Sequence, residues 1–395
     1  MVRRRTHFLI GTRWFGVLGP CELIIDTLNQ AGYNVYVFGQ NDAHYKRYYN
    51  NNCTLVRINM ARSYFAPLAD IKDIIKIASY VLKHRPDGIH SFNPKPALLA
   101  AAASIVSPST KLFIGITGLG NTFIRAKRLE PVIRSFLRLA CSRASYVFFQ
   151  NHDDIELFEK KKLVEEWKRM LFVGPGVDLR VFRPRDYPGL PNGRIRVCCV
   201  ARLIWQKGIR EYVESARRLT AEDSRYEFFL YGEVDEQHPD CIDPEFVRKA
   251  HEEGVITHIP WTDDIAAELR KADIFVLHSY REGAPRAILE ASASALPTVG
   301  SDAIGVRELV RDGETGYLTP LKSVDGIVEG IRKLAASPKE RQRMGETARR
   351  LIAEQYSLAR SSQAQMQMYR NVGYDVDLAP HYFEQTSDKL TRHVP

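Results

Sequence analysis

The chain has 395 residues, of which 45% are hydrophobic and 26% charged, with a formal net charge of +9. This length predicts two domains, at most three, and the composition is that of a soluble globular protein. No apolar run approaches the roughly 18 residues of a spanning helix, and Phe8–Ile10 after Arg3, Arg4 and Arg5 is too short for a signal-peptide core, so a cytoplasmic location is expected.

In chain order, short β-rich runs alternate with helical patterns. Strands are predicted at Thr6–Ile10, Asn34–Gly39, Leu55–Ile58, Gly88–His90, Lys111–Ile116, Tyr146–Gln150 and Leu171–Val173. Helices are predicted at Glu22–Ala31, Ile71–Lys83, Lys95–Ser104 and Glu130–Ser142. Such alternation points to a parallel sheet covered on both faces. Residues 174–193, GPGVDLRVFRPRDYPGLPNG, carry Gly and Pro without a period and read as a linker. Strands then resume at Arg196–Val200, Glu227–Tyr231, Val255–Ile259, Ile274–Leu277 and Thr298–Gly300, and one long helix is expected from about Glu340 to Val372. The fold class is therefore α/β: two doubly wound, Rossmann-like domains with a ligand cleft expected between them. The expected boundaries are 1–175, a linker at 176–193, 194–345, and a helix with tail at 346–395.

Charge is uneven. Residues 1–170 hold 25 Lys and Arg against 13 Asp and Glu, a surplus of +12. This suits an anionic partner such as a phospholipid surface or a diphosphate, or simply a solvated basic face. Nucleic acid is not expected, because no helix-turn-helix, RNP or zinc-finger pattern is present. Around Glu130–Ser142, Val132, Phe136 and Leu139 recur at helical spacing. Arg125, Lys127, Arg128, Arg134, Arg138 and Arg143 flank them, with Ile124, Leu129, Ile133 and Leu137 nearby. The stripe reads either as a basic amphipathic surface for an anionic bilayer or as a face packed on the sheet. None of the six cysteines forms a CxxC pair, so no zinc site is expected, and the adjacent Cys198 and Cys199 read as strand core.

Three segments carry chemistry. The first, SYREGAPRAILEASASALP (Ser279–Pro297), follows the strand IFVL and opens a helix, with Pro285 suited to its first turn. The N–H groups of Gly283 and Ala284 would face a ligand, and Glu282 and Glu290 could accept hydrogen bonds from vicinal hydroxyls. Taken alone, both glutamates also read as solvated helix charges. The second, ARLIWQKG (Ala201–Gly208), places Arg202 and Lys207 at the carboxyl end of a strand, where two cations can clamp a diphosphate. The third, DAIGVRELVRDGETGYLTP (Asp302–Pro320), brackets a helix with turn glycines.

In this order and spacing the three segments resemble glycosyltransferase family 4, whose fold is GT-B and whose reaction retains anomeric configuration. Arg202 and Lys207 match its basic pair. Glu282-Gly283-Ala284-Pro285 with Glu290-Ala291 match its E-x7-E segment, and Gly305 with Asp312-Gly313 and Gly316 match its glycine-rich turns. The SYREG-x-PR, GEVDEQHPDCI and ITGLGN segments resemble a bacterial subgroup. That subgroup transfers N-acetylhexosamines onto polyprenyl-diphosphate-linked or other surface-glycan acceptors. The resemblance implies a UDP-sugar donor whose diphosphate Arg202 and Lys207 hold. Glu290 would hold the ribose, and Glu282, Gly283 and Ala284 the donor sugar. It assigns the acceptor to the first domain, returns the C-terminal helix toward that domain, and places the chain at the inner face of the membrane. Ala201 stands where the family usually has Gly. The family's first-domain His is absent, its place being held by Thr117. His90 is a candidate substitute for positioning the sugar, though a lone His at a strand end also reads as structural. Gly16, in the loop expected after the first strand, could approach the diphosphate. No carboxylate cluster offers a metal site, so metal-independent transfer is expected, with no cofactor beyond the nucleotide sugar. A sugar-nucleotide epimerase and a non-catalytic binding subunit are the alternative functions.

Overall fold

The computed structural model describes residues 5–41, 45–47, 49–60, 66–119, 130–172, 174, 176–185, 193–236 and 238–376. The chain divides into two compact units, Met1–Pro175 with Ser361–Pro395, and Gly176–Arg360. Ile124, Arg125, Lys127, Arg128 and Leu129, part of the linker, and the tail beyond Val376 lie outside the described residues.

Unit 1 contains β1 (Thr6–Arg13), β2 (Asn34–Gln40), β3 (Thr54–Arg57), β4 (Gly88–Phe92), β5 (Lys111–Ile116), β6 (Tyr146–Phe149) and β7 (Arg169–Leu171). Its helices are α1 (Phe15–Gln30), α2 (Pro67–His84), α3 (Pro94–Ala103), α4 (Glu130–Arg143) and α5 (His152–Lys160). The strands form one parallel sheet in the order β3-β2-β1-β4-β5-β6-β7. Side chains alternate across it. Phe8 and Ile10 join a core with Ile77 and Val81 of α2 and Leu137, Ala140 and Cys141 of α4. Leu9 points the other way, into a core with Val17, Leu18, Cys21 and Ile24 of α1. Burial on both faces explains why the strands read as apolar runs rather than as an alternation.

Unit 2 repeats the scheme. It contains β8 (Ile195–Val200), β9 (Tyr226–Tyr231), β10 (Thr257–Ile259), β11 (Ile274–Leu277), β12 (Thr298–Ser301) and β13 (Gly316–Thr319). Its helices are α6 (Ile209–Glu222), α7 (Pro244–Glu252), α8 (Ile265–Lys271), α9 (Arg286–Ala293), α10 (Val324–Ala336) and α11 (Pro338–Gln355). The sheet is again parallel, in the order β10-β9-β8-β11-β12-β13. A last helix, α12 (Leu358–Asn371), carries Met366, Met368 and Tyr369 into the unit 1 core that holds α1.

Three expectations are corrected. The long helix from Glu340 to Val372 is two helices. Between them Ser357 bridges Val177, whose N–H donates to Tyr356 O at 3.0 Å and whose O accepts from Leu358 N at 2.9 Å. Those bonds turn the chain where neither Gly nor Pro marks a stop. The segment GTRWFGVLGP is not a loop. β1 runs to Arg13, and α1 begins at Phe15 despite Gly16, Gly19 and Pro20. The helical period of Val17, Cys21, Ile24 and Leu28, all buried, outweighs the local breakers. Finally, the helix expected between the glycines of Asp302–Pro320 does not form: residues 304–309 are turns, and DGETG leads into β13, a four-residue edge strand paired with β12.

Candidate functional site

In both sheets the strand order reverses beside the first strand, between β1 and β4 and between β8 and β11. Open α/β sheets bind ligands outside the carboxyl ends of the strands at such a reversal. In unit 2 the two loops at this point are Ala201–Gly208, after β8, and His278–Pro285, after β11. These are the segments that hold Arg202, Lys207 and Glu282.

The loops are fitted to each other by backbone contacts. Tyr280 N donates to Gln206 O at 2.9 Å, and Glu282 N donates to Ile304 O at 2.9 Å. Gly208 has φ +70°, and a Cβ there would lie 2.3 Å from His278 O. Gly305 has φ +81°, and its Cβ would lie 2.5 Å from both Glu282 O and Gly283 O. Only glycine satisfies both the left-handed backbone and the close approach.

Lys207 closes a 3-10 turn, Trp205–Lys207, and its Nζ makes an ion pair with Glu282 Oε1. The two side chains are only 18% and 12% exposed. Arg202 extends further out, 59% exposed, with Nη1 3.2 Å from Asp235. Glu290 lies on the fifth residue of α9 and is buried. Burial raises its carboxyl above the ordinary range, and Arg286, whose Nε lies 2.8 Å from Oε1, opposes that shift. Neither glutamate is thus a solvated helix charge. Pro285 stands one residue before α9, and its carbonyl accepts the first helical bond, from Ile288 N at 3.0 Å. Gly283 is buried and Ala284 half-buried, between Glu282 and the start of α9.

The structure adds a supporting layer that spacing alone did not reveal. Glu211, buried on α6 one turn after Lys207, accepts from Tyr280 Oη at 2.7 Å. Lys322 Nζ lies 5.1 Å from the Tyr280 ring centroid. His278, beneath the loop, is held neutral, with burial lowering it to about 4. The GEVDEQHPDCI segment is stapled onto ARLIWQKG through Leu203↔Val234 and Ile204↔Cys241 bridges. Its Asp240 also meets Gln206. The four-residue step from Lys207 to Glu211 was a readable signal; the pairing of Glu211 with Tyr280, 69 residues away, was not.

In unit 1, Gly16 lies exposed in the first turn of α1. Thr117 follows β5 and bonds Asn93, which follows β4 with an unusual φ of +80°. His90 is placed differently from these edge residues. It is 2% exposed within β4, its Nδ1 2.8 Å from Tyr369 Oη of α12, and burial lowers it to about 3. That geometry fits the structural reading. Among the described residues no group of three or more His, Cys, Asp or Glu could hold a metal ion. Cys198 and Cys199 are buried strand residues, and burial pushes the Cys199 thiol up to about 12.

Residues 9–151 match the model described as glycosyl transferase 4-like, and residues 184–351 match glycosyl transferases group 1. A Campylobacter jejuni N,N'-diacetylbacillosaminyl-diphospho-undecaprenol alpha-1,3-N-acetylgalactosaminyltransferase is 26% identical, over 82% of this chain and 88% of its own. An Escherichia coli UDP-Gal:alpha-D-GlcNAc-diphosphoundecaprenol alpha-1,3-galactosyltransferase is 24% identical, over 68% of this chain and 74% of its own. Among solved structures, sucrose-phosphate synthase from Thermosynechococcus elongatus shares the fold with a TM-score of 0.77 and 18% identity, covering 93% of this chain and 99% of that one. The Anabaena protein HepE, solved with UDP and glucose, does so with a TM-score of 0.71 and 16% identity, covering 92% and 99%. With both halves matched and a motif set at the strand reversal, the chain belongs to the GT-B glycosyltransferases, built from a 4-like domain and a group 1 domain.

Proposed function

We propose that the chain transfers an N-acetylhexosamine or related sugar from a UDP-sugar to a hydroxyl of a polyprenyl-diphosphate-linked glycan, with retention and without a metal ion. Residues 194–345 take the donor and residues 1–175 the acceptor. The observation that carries this reading is the meeting of Lys207 and Glu282 at the strand reversal, with Arg202 beside them. Lys207 and Arg202 would stabilise the diphosphate as the bond from its oxygen to the anomeric carbon breaks. The acceptor oxygen forms its bond to that carbon on the same face, and the departing phosphate oxygen takes the hydroxyl proton. Two fixed cations supply the charge that a metal would otherwise bring. Glu282, with Gly283, Ala284 and Pro285, lines the sugar, and buried Glu290 accepts from the ribose hydroxyls. Gly16 and Thr117 are the unit 1 candidates for orienting diphosphate or sugar.

The lipid-linked acceptor is supported by the names of the two relatives, both of which act on undecaprenyl-diphosphate glycans. It implies peripheral attachment at the inner face of the cell membrane. No described helix is long and apolar enough to cross a membrane. The test is a thermal-shift screen of nucleotide sugars, followed by transfer to a synthetic polyprenyl-diphosphate glycan in EDTA. Transfer with an axial anomeric product is expected. Stabilisation by no UDP-sugar, or activity lost in EDTA and restored by Mg2+, would overturn the donor reading or its metal independence respectively.

A further inference from the structure

The outer face of α2 carries side chains that do not suit water. Leu68, Ile71, Ile75 and Leu82 are 79%, 52%, 63% and 60% exposed. Steps of three, four and seven residues place them on one stripe. Ile77 and Val81, on the opposite side, enter the core. Lys72, Lys76 and Lys83 are exposed alongside the stripe. The two acids of α2 are withdrawn from it. Asp73 is buried and accepts from the N–H groups of Asn59 and Met60, and Asp70 pairs with Lys95 at 2.8 Å.

The stripe continues on neighbouring elements of the same helical layer. The 3-10 turn Ser104–Val106 packs beside α2 and exposes Ile105 and Val106. α4 packs on α3 and exposes Val132, Phe136 and Leu139 at 45%, 56% and 59%, so this stripe does not pack on the sheet. Arg143 Nη2 reaches Ser104 O at 3.2 Å and ties α4 to the turn. Nine of the twelve strongly exposed large apolar side chains among the described residues therefore lie on this one layer. Soluble monomers rarely gather so many. Apolar residues edged by lysines, with acids turned away, are the pattern of helices that lie in the boundary of a bilayer.

We propose that the outer faces of α2, the Ser104–Val106 turn and α4 form one docking surface for an anionic lipid bilayer, with α2 as its principal contact. Charge complementarity selects this occupant: three exposed lysines edge the α2 stripe, and the surplus of residues 1–170 is +12. The surface deepens the lipid-linked-acceptor reading, because docking would bring unit 1 to the membrane that holds such an acceptor.

The test is co-sedimentation of the full chain with phosphatidylcholine vesicles, with and without phosphatidylglycerol, at low and high salt. Binding is expected to require the anionic lipid and to fall as salt rises. Lys72→Glu/Lys76→Glu is expected to weaken it at least about 25-fold, from two charges at about fivefold each. Leu68→Gln/Ile71→Gln/Ile75→Gln is expected to abolish it while leaving thermal unfolding and the nucleotide-sugar thermal shift unchanged. No wild-type binding to anionic vesicles at low salt would overturn the proposal. So would unchanged binding by the Gln variant. A wild-type dimer that the Gln variant dissociates, with no vesicle binding by either, would assign the face to a second copy of the chain and also overturn it. Vesicle binding needs neither donor nor acceptor, so failure of the transferase reading appears separately, in the nucleotide-sugar screen.

Discussion

Replacing Lys207 with alanine tests the donor site and its architecture together. Lys207 and Glu282 are both under one-fifth exposed, and each is the other's charge partner. Removing the lysine leaves the Glu282 carboxylate in a largely desolvated place without its cation. Stranding a fully buried charge costs about 3–5 kcal/mol; with the residual exposure here, a stability loss of ~2 kcal/mol is expected. As a ligand clamp alone, Lys207 could be removed without affecting folding; the ion pair changes that. Turnover should fall by ~100-fold or more, or about 2.7 kcal/mol of barrier, the scale of one preorganised donor. The assays are nucleoside diphosphate release under donor saturation and urea unfolding followed by circular dichroism. The double variant Lys207→Ala/Glu282→Gln should regain most of the stability but none of the turnover, because it removes the stranded charge without restoring the cation. A folded Lys207→Ala protein with wild-type turnover would refute the clamp, and one with wild-type stability would refute the energetic role of the pair.

Gly208→Ala should destabilise by ~2 kcal/mol or more and lower the melting temperature, since its Cβ would meet His278 O at 2.3 Å on a φ of +70°; an unchanged melting temperature would show that the two loops are not so closely fitted. Glu290→Gln bears on pH. The folded-state carboxyl is raised by burial, so its contribution to stability is fully present below the ordinary carboxylate range and is lost as pH rises through the folded value. The ligand-free Gln variant should therefore gain stability relative to wild type as pH rises, while donor binding weakens; gains equal at pH 4 and pH 7 would contradict this. His90 has the opposite sign. Its folded value is depressed to about 3 from 6.5, so stability present at neutral pH is lost progressively as pH falls from the unfolded value through the folded one. The gap in urea midpoint between wild type and His90→Phe should thus shrink on acidification, and a gap that stays constant from pH 7 to pH 4 would remove His90 from this account.

The sequence by itself determined the class of the fold and where its chemistry collects. Apolar runs such as IRVCCV and IFVL are read directly as strands because both sheet faces are covered, and the loops that follow them carry Arg202, Lys207 and Glu282. Spacing also placed Val132, Phe136 and Leu139 on one stripe, because helical geometry is local. Whether such a stripe faces a core or water is set by neighbouring elements. Only the tertiary structure decided that α4 turns Leu137, Ala140 and Cys141 inward and leaves the stripe outside, and that α2 carries a second stripe of the same kind. The break at Tyr356–Ser357 was likewise illegible, since the backbone bonds that make it come from Val177, 180 residues earlier. Glu290 looks like a surface charge at helical spacing, and Lys207 like a lone cation. Packing buried the first and placed Glu282, 75 residues on, against the second, so desolvation and pairing, which depend on residues distant in the chain, gave both side chains their chemical character.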